Sequence, residues 1–180
     1  MYNVKPIKIL LLPVGNSHRH VSYLCFMISR LFVLIILFAF NVRGQNIELG
    51  DSIVTFAKEQ LGVPYKYATC DPNNSFDCSG FVSYVYDNFN LPNSRSSRAY
   101  GNLGKVVPLS DAQPGDCILF TGTDPSVKRI GHVGIVVENE GDELRFIHCS
   151  SSKKHFGVVI TEYYSSGYPK RFVEVRRITP

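Results

Sequence analysis

The sequence lacks the features that mark several common classes of protein. It contains no Cys-x-x-Cys pair, so no zinc site is predicted, and it has no internal repeat or low-complexity linker. Its formal net charge is only +4, and its densest basic clusters are the pairs Lys153–Lys154 and Arg176–Arg177. A nucleic-acid-binding surface is therefore not expected. The hydrophobic content of 44% is instead typical of a globular domain.

Long hydrophobic runs are also scarce. The one clear run, LFVLIILFAF at 31–40, follows Arg30 and is too short to span a membrane. A basic flank, a short apolar segment and the small residue Gly44 are together typical of a secretory signal, with a buried core helix as the alternative. No cysteine closely follows the run, so a lipid anchor is not expected.

The stretch before Met27 is long for the basic start of a signal, and translation is predicted to begin at Met27. The domains are thus a leader at 1–44 and one mature domain at 45–180. The mature protein is expected to be exported, to the periplasm, the cell envelope or the medium, without a stable membrane anchor. It is expected to be a monomer.

The pattern of elements predicts an α+β fold. Apolar residues at helical spacing predict helices at 51–62, capped by Asp51 or Ser52, and at 78–89. Alternating apolar residues with intervening turns predict a mostly antiparallel sheet of about five strands, at 117–120, 131–138, 143–150, 157–162 and 171–178.

Cys78 begins the second predicted helix, with Asp77 at its cap. A helix start favours a thiolate, which is the nucleophilic form of cysteine, although the charge of Asp77 opposes this effect. Gly80 keeps the first turn slim, which could admit a substrate. Taken alone, Cys78 could equally be a small buried residue. The mature domain has an even number of cysteines, Cys70, Cys78, Cys117 and Cys149, so disulfides are permitted but their pairing stays open.

Two histidines could serve such a nucleophile. His132 begins one predicted strand and His148 lies on the next, and a hairpin about the NEGD turn would bring them to the same end. One could then act as base and the other orient it. Strand alternation turns Cys149 to the opposite face from His148, into the core, and His155 is expected to be exposed.

Several motifs in one order carry a family resemblance. LGVPYKY, FDCSGFVSYVY, LPNSRSS, AQPGDCILF, GHVGIVV and FIHCSSS, spread over about residues 50–178, closely resemble the NlpC-type cell-wall cysteine peptidases. The resemblance implies a papain-like fold and hydrolysis of peptidoglycan stem peptides or muropeptides, usually between D-glutamate and a diamino acid. It implies no metal and no cofactor. The family's glycines after the PY turn are replaced here by Ala68 and its neighbours.

The resemblance also implies roles for individual residues. Cys78 would be the nucleophile, His132 the general base, and His148 the residue that orients it. The substrate-binding set would be Tyr65 beside the nucleophile, Asp77 and Ser79 at the substrate's free amino end, and Arg95 at a carboxylate.

Two other functions remain open from the sequence. A CHAP-type amidase also places cysteine before histidine, but it cuts the bond between the sugar's lactyl group and L-alanine. A secreted, non-catalytic binding protein on the same fold is the second alternative, although Cys78, His132 and His148 are all present.

Overall fold

The computed structural model describes residues 29–31, 48–124 and 126–180. The predicted leader lies outside the described residues except at 29–31, which are helical. None of the helices in these ranges is long and apolar enough to cross a membrane. The described residues from 48 onward belong to one compact unit.

Two α-helices precede the sheet. Residues 48–58 form helix α1, and α2 spans Cys78–Asn88. The predicted start of α1 was too late, because Ser52 lies inside the helix and donates its hydroxyl to the carbonyl of Glu48 at 2.8 Å. Asp77 does cap α2, since its carboxylate accepts from the amide of Gly80.

The strands form a two-stranded hairpin and a six-stranded antiparallel sheet. The hairpin joins β1 to β2, and the large sheet has the order β3-β8-β4-β5-β6-β7. The strands are β1 Cys70–Asp71, β2 Ser75–Phe76, β3 Lys105–Val107, β4 Cys117–Thr121, β5 Ile130–Glu140, β6 Glu143–Ser151, β7 Phe156–Glu162 and β8 Phe172–Arg177. The predicted α+β class with a mostly antiparallel sheet is confirmed.

The prediction of about five strands falls one short for the large sheet. The additional strand is β3, which pairs with β8 through Val107 and Val175 at the sheet edge. Three residues are too few to show a period of two, so this strand carries no signal in the sequence.

Alternation along the strands separates two cores. Val133 and Ile135 of β5 pack on the same side as both helices, in a core that also contains Cys149. Val136 and Phe146 belong to a second cluster with Phe120. Cys149 and His148 thus lie on opposite faces of β6, as strand alternation predicts.

Candidate active site

The N-terminus of α2 fixes the position of Cys78. Asp77 Oδ1 accepts from the Gly80 amide at 2.6 Å, which makes Asp77 the N-cap residue. The prediction that Gly80 leaves room for a substrate is wrong. A Cβ at this position would lie 2.1 Å from the carbonyl oxygen of Thr69, so the glycine lets the preceding loop pack against the helix.

Asp77, Ser79 and Arg95 are hydrogen-bonded to one another. Asp77 Oδ1 also accepts from the Ser79 hydroxyl at 2.8 Å, and Asp77 Oδ2 is 3.3 Å from Arg95 Nη2. Arg95 Nη2 further donates to the carbonyl of Thr69 at 3.0 Å. The Asp77 and Ser79 side chains are buried. The three residues singled out in the sequence are therefore brought together, with each side chain already paired.

The Cys78 thiol is not ionised by its position at the helix start. Burial, and then the charge of Asp77, raise the pKa of Cys78 to about 11. Hydrogen bonds from backbone amides, including that of Val133, oppose this rise but do not cancel it. The helix start therefore favours a thiolate as expected, but burial and the charge of Asp77 outweigh this effect in the unliganded protein.

The hairpin of β5 and β6 brings His132 and His148 together. His132 Nε2 lies 2.9 Å from His148 Nδ1, and the rings meet edge to face. Gly134 makes this approach possible, because a Cβ there would lie 3.2 Å from the Cβ of His148 and 2.9 Å from the carbonyl oxygen of Ile147.

Both imidazoles are neutral at neutral pH. Burial, and then the positive charge of Arg171, lower the pKa of His132 to about 3. Burial, followed by the neighbouring His132, lowers the pKa of His148 well below its ordinary value. A neutral pair suits the short contact, since one ring can donate while the other accepts.

Three residues at this site were not predicted from the sequence. Thr161 Oγ1 is 2.9 Å from His148 Nε2, and the Tyr168 hydroxyl is 3.5 Å from His132 Nε2. The guanidinium carbon of Arg171 lies 5.0 Å from the centre of the Tyr168 ring. Thr161 faces the same side as His148 because β7 places Val159 opposite His148 and Thr161 two residues on.

Two cavities meet at Cys78. One, of about 540 Å³, is lined by Cys78 and His132 together with Tyr65, Tyr168 and Arg171. The other, of about 520 Å³, is lined by Tyr65, Cys78, Asp77, Ser79 and Arg95. Cys78 and Tyr65 belong to both walls. All seven residues predicted for the site except His148 therefore line these two cavities.

A third cavity, of about 530 Å³, continues the site beyond the histidines. It is lined by His148 and Thr161, and it shares Ser150, Ser152, Tyr168 and Arg171 with the cavity that contains Cys78 and His132. His155, exposed as predicted, lies at its wall.

The four cysteines of the predicted mature domain, Cys70, Cys78, Cys117 and Cys149, are all free thiols. Within the described ranges, His, Cys, Asp and Glu side chains form no group of three that could hold a metal ion. Ala68, which replaces a glycine of the resembled family, keeps a left-handed backbone with φ of 60°.

The chain resembles curated proteins and solved structures. It is 33% identical over 130 residues to the gamma-DL-glutamyl hydrolase of Bacillus subtilis, covering 70% of this chain and 29% of that protein. It is 30% identical over 135 residues to the Escherichia coli murein DD-endopeptidase MepS/murein LD-carboxypeptidase, covering 74% of this chain and 65% of that one. The chain thus spans less than two thirds of each relative.

The fold is similar to that of crystallised proteins as well. An NlpC/P60 family protein from Bacillus cereus superposes with a TM-score of 0.64 at 27% identity, covering 73% of this chain and 40% of that one. The model of the NlpC/P60 family matches residues 62–177, which contain Cys78, His132 and His148. The chain belongs to the NlpC/P60 family.

Proposed function

We propose that the protein is a cysteine endopeptidase that hydrolyses peptidoglycan stem peptides at the bond between D-glutamate and the diamino acid. The observation that carries the proposal is the 2.9 Å contact between His132 Nε2 and His148 Nδ1, beside a cavity that His132 shares with Cys78. A nucleophile, a base and a group that orients the base are the components of covalent amide hydrolysis.

The relatives' names both support hydrolysis, but only the Escherichia coli name refers to murein, and the names differ in the bond. The Bacillus subtilis relative is named for a glutamyl bond, whereas the Escherichia coli relative is named as a DD-endopeptidase and LD-carboxypeptidase. For this chain we favour the D-glutamyl bond, because Asp77 and Ser79 could bind the amino end of an L-Ala-D-Glu acyl part and Arg95 its carboxylate.

Two sets of tautomers satisfy this line of hydrogen bonds, and one of them leaves His132 able to act as a base. With Nε2 of His132 protonated, that nitrogen donates to Nδ1 of His148, whose own Nε2–H donates to Thr161 Oγ1. Nδ1 of His132 makes no hydrogen bond to the described residues and stays available as a base. His148 therefore orients His132 without having to accept a proton itself.

The reaction follows from this arrangement. His132 takes the thiol proton as Cys78 attacks the D-glutamyl carbonyl carbon, and the backbone amide of Cys78 with the Tyr65 hydroxyl stabilises the oxyanion. The imidazolium then gives its proton to the departing amine, leaving a thioester. A water molecule, deprotonated by the neutral His132, hydrolyses the thioester and regenerates the thiol.

Cys78 and His132 are both neutral in the unliganded protein, so the thiol proton must move during catalysis. Burial raises the pKa of Cys78 to about 11 and lowers that of His132 to about 3. We therefore infer that the proton moves from Cys78 to His132 as the thiol attacks the bound substrate. The developing oxyanion then lies near the imidazolium, which passes its proton to the leaving amine.

Asp77 and Ser79 are proposed to bind the free amino end of the substrate, and Arg95 a carboxylate of it. In the unliganded protein Arg95 is the cation paired with Asp77, at 3.3 Å. An incoming ammonium group would replace Arg95 at Asp77 Oδ2 and release the guanidinium towards a substrate carboxylate. A substrate without a free amine cannot replace Arg95, since Asp77 would then be a buried carboxylate without a cation, so Arg95 would not be released. Substrates with a free amine should therefore be preferred.

We propose that the protein is exported, to the periplasm, the cell envelope or the medium, and acts as a monomer on stem peptides or muropeptides. No nucleic acid and no cofactor enter the reaction. The amidase and the non-catalytic binding protein remain the alternatives to be tested.

Product mapping by mass spectrometry tests the function. The free peptide L-Ala-γ-D-Glu-diamino acid and its N-acetylmuramoyl form are each incubated with the wild type and with Cys78→Ser. We expect L-Ala-D-Glu from the free peptide, slower cleavage of the muramoyl form, and no product from Cys78→Ser.

Each other outcome has a distinct meaning. Release of intact peptide from the muramoyl form would identify an amidase, and no cleavage of either substrate would favour a binding protein. Equal cleavage of both forms at the D-glutamyl bond would overturn the amine-binding role of Asp77 alone.

A further inference from the structure

Arg171 occupies an unusual position beside the site. It ends the 3-10 turn Tyr168–Arg171 immediately before β8, and its side chain lines both the cavity with Cys78 and the cavity with His148. The residue that follows it, Phe172, begins β8 and pairs with Phe120 of β4, so Arg171 is anchored at the end of the sheet.

The guanidinium is held in place but is not neutralised. Nη2 donates to the carbonyl of Thr121 at 2.8 Å, and the group lies over the ring of Tyr168. The ion pairs of the described residues all involve other arginines. Arg171 thus keeps its positive charge at the wall of two cavities.

One nitrogen of Arg171 has no hydrogen-bond partner within the described ranges. Its Nε is the only buried side-chain nitrogen or oxygen, among the residues that the structure describes, without a hydrogen-bond partner. Buried donors are almost always paired, and an arginine with a free donor is well suited to a carboxylate. An oriented cation with a free donor indicates an anionic group of the ligand.

The chemistry of the proposed function indicates which part of the substrate this is. His132 must reach the departing amine, so the leaving residue lies on the histidine side of Cys78. Asp77 and Arg95 line the other cavity, on the acyl side. The cavity beyond the histidines adds a second cation, Lys154, against a single carboxylate, Glu162.

We propose that Arg171 binds a side-chain carboxylate of the leaving residue, so that the enzyme prefers a diamino acid with a second carboxyl group over one that ends in an ammonium alone. This inference rests on the proposed function and specifies its substrate. Diaminopimelate has such a side chain, and lysine does not.

A carboxylate bound to Arg171 would also affect the transfer of the thiol proton from Cys78 to His132. The charge of Arg171 contributes to the lowered pKa of His132 and of His148. A carboxylate bound to Arg171 would offset this charge and favour protonation of His132. The right leaving residue would thereby assist the transfer of the thiol proton.

Two peptides that differ only in the side chain of the leaving residue test the proposal. They are L-Ala-γ-D-Glu-meso-diaminopimelate and L-Ala-γ-D-Glu-L-Lys, each amidated at the α-carboxyl of the third residue. We expect the wild type to have a kcat/KM roughly tenfold higher for the first peptide, as a charge-assisted contact would give. Arg171→Met should bring the ratio close to one by lowering turnover of the diaminopimelate peptide.

A conservative variant and a control separate this role from a structural one. Arg171→Lys keeps the charge without the Nε donor and should retain part of the preference. Arg145→Met removes an exposed arginine of β6 that lines none of the three cavities, and should leave the ratio unchanged. Thermal unfolding of each variant checks that it is folded.

The outcomes distinguish the two proposals. If the wild type cleaves neither peptide at the D-glutamyl bond, the proposed function fails. If it cleaves both equally well, or if folded Arg171→Met loses activity equally on both, the function stands and Arg171 does not bind the carboxylate.

Discussion

Cys78 combines a helix start, which favours ionisation, with burial and a neighbouring carboxylate, which oppose it. The opposing effects win, and the pKa of Cys78 rises to about 11. The sequence correctly suggested both influences, but their balance depends on how deeply the thiol is buried, and burial is decided by residues distant in the chain.

The reactivity of Cys78 should therefore increase with pH well beyond neutrality. In a Cys70→Ser background, which removes an exposed thiol, we expect the rate of iodoacetamide labelling at Cys78 still to be rising above pH 9, because only the thiolate reacts. Asp77→Asn keeps an oxygen for the Gly80 amide but removes the charge, so it should shift the profile to lower pH. Peptide mapping supplies the rates, and a plateau below pH 7 would contradict the neutral resting state.

Thr161 should influence turnover through His148. Thr161→Val has nearly the same shape but lacks the oxygen that lies 2.9 Å from His148 Nε2. The loss of one hydrogen bond of about 1 kcal/mol should lower kcat roughly fivefold, and Thr161→Ser should restore it. Steady-state kinetics on the free stem peptide decide this, and a Val variant with unchanged kcat would show that His148 is oriented without Thr161.

At the scale of elements, local pattern predicted the parts of the site that lie close together in the chain. Asp77 caps α2, and the β5–β6 hairpin joins His132 to His148, as the NEGD turn indicated. Thr161, Tyr168 and Arg171 could not be found in this way. Their contribution depends on the pairing of β7 with β6 and of β8 with β4, and a single sequence does not specify that register.

A buried ion pair joins two elements of the sheet. Asp116, immediately before β4, accepts from Arg177 Nε at 2.9 Å and from Nη2 at 2.7 Å, and Asp116 is 1% exposed. Removing one member of a buried pair leaves the other uncompensated, so Asp116→Ala should lower the free energy of unfolding by about 3 kcal/mol.

Urea denaturation measures this loss against a surface pair. Glu138→Ala breaks the exposed pair with Arg145 and should cost at most about 1 kcal/mol. If the two variants lost the same free energy, the pair at Asp116 would not be holding β4 to β8.

At the scale of the whole molecule, the α+β class was predicted from the order of helices and strands, and the family from the order of several motifs. The match over residues 62–177 confirms the family. The division into a leader and a mature domain stays a prediction. If translation begins at Met27, export should remove residues 27–44, so the intact mass of protein purified from the envelope or the medium should correspond to a start near Gln45. A mass that includes the apolar run at 31–40 would contradict cleavage.

The central claim is that Cys78, assisted by His132, attacks a D-glutamyl carbonyl. L-alanyl-γ-D-glutamyl chloromethyl ketone offers the acyl part of the proposed substrate together with a group that alkylates a thiol, and peptide mapping identifies the cysteine that reacts. The account predicts labelling of Cys78 ahead of Cys70, Cys117 and Cys149, slowed at least roughly a hundredfold by His132→Ala. Labelling of another cysteine first, or labelling of Cys78 at an unchanged rate in a folded His132→Ala variant, would contradict it.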